Sequence, residues 1–199
     1  MLDVKPIVLY HGAQRWEGPP RVVPHKKGHA EAGAGIYMTT SYETARKYAK
    51  GGGSVIRFEL DRDIRWLEDA RLDYHVVQSF IASHLPRRHR QTVGSGILGV
   101  YSRSSDGKTI PADALLNLMV NYEAIAGTPG VALAAFYVDH GIDASHDSRG
   151  SEDWVILFNP AKIRSWRVTK AADVSVSDYD LPRIERSNPS LVDSWWARR

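Results

Sequence analysis

Between Gly33 and Ala49 the chain reads GAGIYMTTSYETARKYA, and few architectures accept residue types in that order. Gly33 and Gly35 lead into a short β-prone run, Ile36 to Thr39, and helix-favouring residues follow at once. Thr40 is the expected N-cap, with Glu43 reaching back to the cap N–H as a capping box. Ala45, Arg46, Lys47 and Ala49 then extend the helix until Gly51, Gly52 and Gly53 stop it. The chain must therefore make a glycine turn, a strand and a helix in immediate succession. Tyr37 falls on the strand and Tyr48 on the helix, about three helical turns of sequence later, so a fold-back brings two phenol rings to the walls of one cleft. A planar ring fits between them.

Two flanking pieces narrow the reading. Ile7 to Tyr10 is an apolar strand ending in His11-Gly12, and Glu152-Asp153 is an acidic pair running into the apolar strand Trp154 to Phe158, followed by Asn159-Pro160. With Tyr37, Ala45 to Tyr48 and the Gly141-Ile142-Asp143 turn, this order of His, Tyr and acid resembles the ADP-ribosyltransferase superfamily, of the diphtheria-toxin and poly(ADP-ribose) polymerase type, and most of all its bacterial toxin-type members. The resemblance spans roughly Pro6 to Arg167 in separate patches, and residues 61–128 match none of it. It implies an α+β fold, a split β-sheet core with flanking helices, and NAD as co-substrate. His11, Gly12, Gly35, Tyr37, Thr44 and Tyr48 are then the NAD-binding residues, and His11, Tyr37 and Glu152 or Asp153 the catalytic ones.

The chemistry explains why these residue types would serve. Cleavage of NAD at its nicotinamide bond passes through an oxocarbenium-like sugar, which calls for a clamp on the flat leaving group, anchors for ribose hydroxyls and a carboxylate near the cationic centre. Tyr37 and Tyr48 supply stacking surfaces, and stacking contributes roughly 0.5–1.5 kcal/mol per pair beyond burial. By the resemblance, the Gly12 backbone meets the carboxamide and His11 a ribose hydroxyl. The carboxylate contributes most, because fixed charge opposite developing charge is usually the largest catalytic effect. Strand alternation admits only one acid to the cleft. Glu152 has the right length and needs a bulge or loop before Trp154; Asp153 is the alternative by register. Thr44 or Ala45 stands where the family has serine.

Composition narrows the remaining classes. At 199 residues, 43% hydrophobic and 25% charged, the chain suits one globular domain. The expected division is a catalytic domain over 1–170, carrying a helical or loop insertion at 61–128, and a C-terminal extension over 171–199. A net charge of +3 from 26 basic and 23 acidic residues does not declare a nucleic-acid binder. The absence of cysteine excludes disulfides, thiolate metal sites and a cysteine nucleophile. No metal is expected, since His75, His84, His89 and His140 have no recognised ligand spacing. Met1 to Lys5 lacks a basic leader and no apolar run reaches membrane-spanning length, so the expectation is a cytoplasmic protein without a membrane partner.

Along the rest of the chain, the breaker-rich stretch 13–32 is a basic loop, with Arg15, Arg21, His25, Lys26, Lys27 and His29 placed to meet a pyrophosphate. Val55 to Leu60 alternates as a strand. Helices are expected over 71–85, 113–125 with an apolar stripe of Leu115, Leu116, Met119 and Tyr122, and 130–140 with Thr128 as cap. Arg87 to Arg90, followed by the Gly- and Ser-rich run to Lys108, reads as an exposed excursion for an acidic partner. Residues 146–150 read as a turn, 163–168 as an outer strand, and Trp195-Trp196 as indoles that dock or bind. The leading expectation is a mono-ADP-ribosyltransferase, a bacterial or phage toxin acting on a protein or nucleic-acid target and restrained by a cognate antitoxin. An NAD-consuming RNA 2′-phosphotransferase and a non-catalytic NAD or ADP-ribose binding module are the alternatives.

Overall fold

The computed structural model describes residues 5–24, 33–170 and 174–185, which divide into two compact units. His25, Lys26, Lys27, His29 and the Trp195-Trp196 pair lie outside the described residues. The first unit comprises residues 1–22, 35–64 and 143–185 and is built on strands β1 (Ile7–Ala13), β2 (Ile36–Thr39), β3 (Ser54–Leu60), β6 (Ala144–Arg149), β7 (Glu152–Leu157) and β8 (Ile163–Thr169). They form one six-stranded sheet in the order β6-β7-β2-β1-β3-β8, with each neighbouring pair antiparallel. Helix α1 (Tyr42–Ala49) packs on it. The architecture is α+β with an antiparallel sheet.

Local sequence explains these elements. The N-cap of α1 is Ser41, whose side chain accepts from the Thr44 N–H, rather than the expected Thr40, so Glu43 makes no capping box. Thr40 is occupied otherwise: its hydroxyl accepts from the buried Asp153 N–H. Gly12 lies within β1, not at its exit, and a Cβ there would fall on the Ala45 carbonyl, so α1 crosses the sheet at the one β1 position without a side chain. Around that crossing Tyr10, Tyr42, Ala45, Ala49 and Val55 form a buried cluster. Residues 146–149 belong to β6 rather than to a turn; Arg149 pairs with Glu152, and Gly150, at φ 57°, makes the tight hairpin between them.

Residues 174–185 pack on this unit. Val174, Tyr179 and Leu181 cover the cluster, Tyr179 stacks on Tyr42 at 5.1 Å, and the Tyr42 and Leu181 N–H groups donate to the Tyr179 and Thr40 carbonyls at 2.8 and 2.9 Å. The extension expected from residue 171 is, in this described part, a component of the first unit.

The second unit comprises residues 23–34, 65–142 and 186–199. Its elements are β4 (Arg71–Asp73), α2 (Tyr74–His84), α3 (Arg87–Tyr101), β5 (Thr109–Pro111), α4 (Asp113–Asn121) and α5 (Thr128–Asp139), with β4 and β5 as a two-stranded antiparallel sheet. Asp73 caps α2 through the His75 and Val76 N–H groups. Gly127, not Thr128, is the N-cap of α5, and Pro129 stands in its first turn. The excursion expected after Pro86 is instead the helix α3, with Val93 and Ile97 buried one turn apart. Leu115, Leu116 and Met119 are buried as expected, whereas Tyr122 is 42% exposed. The main stretch of this unit, 65–142, reaches beyond the insertion expected at 61–128 and includes α5. Among the described residues no helix is long and apolar enough to cross a membrane.

Candidate active site on the first unit

β1 and β2 share a single register pair, Tyr10 opposite Thr39, so the sheet is loosely joined there. Where the ladder stops, the His11 ring takes its place: Nδ1 lies 2.6 Å from the Tyr37 carbonyl oxygen. A carbonyl oxygen only accepts, so Nδ1 carries the proton and Nε2 of the neutral ring is an acceptor. The imidazole is half-buried and held edge-on by Trp16 and Phe58, at 5.6 and 6.3 Å between ring centres. His11 is therefore part of an aromatic cluster as well as a bonding group.

β2 pairs with β7 in unbroken register, Tyr37 opposite Ile156 and Thr39 opposite Trp154. Paired residues share a face and alternate residues return to it, so Tyr37, Thr39, Glu152 and Trp154 all lie on one side of the sheet. No bulge is needed to bring Glu152 there, contrary to the expectation. Its Oε2 accepts from the Thr39 hydroxyl at 3.0 Å and its Oε1 from the Trp154 indole N–H at 3.1 Å. The Thr39 oxygen also accepts from the Ser41 N–H at 3.1 Å, which commits its proton to the carboxylate. Tyr48 projects from α1 over the same strand, 56% exposed, and its ring meets Trp154 edge-on at 5.8 Å. The Arg149 guanidinium lies over the Trp154 ring at 5.8 Å.

Asp153 has the opposite environment. Its side chain is 1% exposed, and its carboxylate accepts from Ser148 Oγ (2.8 Å) and from the Ile184 N–H (2.7 Å) while pairing with Arg183 (2.8 Å) and His146 (3.3 Å). Burial alone would raise its pKa, but the Ile184, Arg183 and Ser148 bonds, with His146, outweigh it and hold the carboxyl below the ordinary aspartate value. This is a structural anchor that ties residues 183 and 184 to β7.

Of the remaining expected residues, Thr44 contributes its backbone N–H to the α1 cap, and Gly35 lies where a Cβ would strike Ile156 and the Leu157 carbonyl, so its place is in the packing of β2 on β7. Asp143, in the Gly-Ile-Asp turn, is buried and accepts from Asn159 Nδ2 at 2.7 Å. Thr39, Trp154 and Arg149 went unassigned in the sequence. For Thr39 and Trp154 the signal was present in the alternation of β2 and β7, once Glu152 rather than Trp154 is taken as the first strand residue; Arg149 lies on β6, where alternation gives no such signal.

The fold and this face define an α+β protein that presents one oriented carboxylate beside aromatic rings, with the His11 ring bonded to the backbone of the same strand β2. No family model matches the chain, and no match is found among curated proteins or solved structures.

Proposed function

We propose that the chain is an NAD-dependent mono-ADP-ribosyltransferase of the His-Tyr-Glu type, with Glu152 as its catalytic acid. One observation carries the reading: Glu152, held by Thr39 and Trp154, shares a sheet face with Tyr37, whose carbonyl takes the His11 bond, and with Trp154, on which Tyr48 rests. The donor set suits NAD. Exposed Tyr48 offers a surface for the flat nicotinamide, and the His11 Nε2 acceptor suits a ribose hydroxyl.

The residues divide the work accordingly. Tyr48 and Tyr37 orient the leaving group. Glu152 faces the positive charge that develops on the sugar as its bond to nicotinamide lengthens, and its two hydrogen bonds fix it there before reaction, so little reorganisation is required. His11 holds the sugar side. The acceptor is a macromolecular group, and a toxin role restrained by an antitoxin rests on the resemblance; toxicity on expression that disappears with Glu152→Gln tests it.

The direct test is nicotinamide release from NAD. Glu152→Gln keeps the shape but removes the charge, so turnover falls by roughly a hundredfold or more with NAD affinity little changed. His11→Asn and Tyr48→Ala lower it less. Wild-type turnover in folded Glu152→Gln rejects the mechanism.

A further inference from the structure

The second unit contains a cavity of about 540 Å³ between α3 and α4, within the usual small-molecule range of about 300–1,000 Å³. Its origin is the α3 sequence. Ser95, Gly96 and Gly99 present almost no side chain to the cavity; a Cβ at Gly96 would strike Leu118, whereas one at Gly99 would meet nothing within 4 Å. The two helices are thus in contact at Gly96, and the space at Gly99 is open.

The lining has two chemically distinct ends. At one, Arg71 is fixed by the Thr109 hydroxyl (2.7 Å) and Ser104 Oγ (2.9 Å) and is neutralised by Asp106 at 3.4 Å. Asp106 also accepts the Lys108 and Thr109 N–H groups, each at 2.9 Å, so residues 104–109 form an internally bonded loop. Beside it the exposed Arg103 guanidinium makes no hydrogen bond or ion pair among the described residues. Burial pushes the carboxyl of Asp113, also in the lining, above the ordinary aspartate value, and its Oδ2 accepts from Asn117 Nδ2 at 3.5 Å. At the other end Tyr122 offers an exposed ring, and Asn117, whose Nδ2 is directed to Asp113, offers its amide oxygen as an acceptor.

We infer that this cavity is a binding site for a nucleoside monophosphate, with Arg103 and the Ser105 hydroxyl taking the phosphate and Tyr122 and Asn117 the base. Guanidinium and hydroxyl donors match phosphate oxygens, and a base combines a face for stacking with an edge for an amide. The inference is independent of NAD turnover, because every residue in it belongs to the second unit.

Calorimetric titration of the full chain with AMP, GMP, CMP, UMP and the four nucleosides tests it. At least one monophosphate binds, with its nucleoside tenfold weaker or worse. Gly99→Leu, which fills the open space, abolishes that binding, and Arg103→Gln weakens it by roughly tenfold or more. Tyr48→Ala, in the first unit, retains it. Circular dichroism checks the fold of Gly99→Leu, and the exposed Arg103→Gln carries the test by itself if the leucine variant unfolds. The inference is overturned if no monophosphate binds, if folded Gly99→Leu or Arg103→Gln binds as wild type, or if Tyr48→Ala abolishes binding.

Discussion

Glu152 and Asp153 are neighbours whose side chains leave β7 on opposite faces. One carboxylate is half-buried on the face of Tyr37 and Trp154; the other is buried among Ser148, Arg183 and the Ile184 N–H. If Glu152 acts through its preset orientation, its donors matter separately from its charge. Thr39→Val and Trp154→Phe, each removing one donor while keeping bulk, should lower nicotinamide release by roughly tenfold apiece. Rates within twofold of wild type in both folded variants would show that those bonds do not hold the reacting geometry. Asp153 makes a different prediction. Its folded pKa lies below the unfolded value of about 3.9, so its contribution is fully present above that pH and fades as the pH falls toward the folded value. Acid titration of stability should therefore be shallower below about pH 4 in Asp153→Asn than in wild type. Identical acid limbs would refute the anchor.

At the scale of elements, legibility followed how local the determining forces are. The strand Ile36–Thr39 and helix Tyr42–Ala49 were readable because β-propensity, a cap and glycine stops all lie within the segment. Helix α3 was not readable: Gly94, Ser95, Gly96 and Gly99 lower its intrinsic propensity, and burial of Val93 and Ile97 overrides that. The larger part of β6, residues 146–149 read as a turn, was missed because His-Asp-Ser-Arg has no β-branched or aromatic residue; pairing with β7 makes it a strand. The two α3 glycines should separate these influences. Gly99→Ala, with open space for its methyl, should stabilise by about 1 kcal/mol in urea unfolding, whereas Gly96→Ala, against Leu118, should gain less or destabilise. Equal gains would remove close helix contact as the reason for Gly96.

At the scale of the whole molecule, the compact units differ from the expected borders, which followed composition. The polar stretch after Thr169 looks like an extension, yet Val174, Tyr179 and Leu181 cover the α1 cluster and Arg183 pairs with buried Asp153. The main stretch of the second unit, helices with the small β4-β5 sheet, runs to Ile142, where the expected insertion stopped at 128. Truncation after Lys170 would strip apolar cover from Tyr10 and Tyr42 and leave the Asp153 carboxylate without Arg183 or the Ile184 N–H. Leaving a buried charge without its partner costs about 3–5 kcal/mol, a large share of the roughly 5–15 kcal/mol that holds a domain together. The two defects must then be coupled. Asp153→Asn in the full chain should destabilise, because it weakens bonds to both residues, whereas in the truncated chain it should cost little or restore stability, because it removes a charge with too few partners. Urea midpoints of the four proteins give the coupling; if the two changes simply add, residues 183 and 184 do not stabilise the first unit through Asp153.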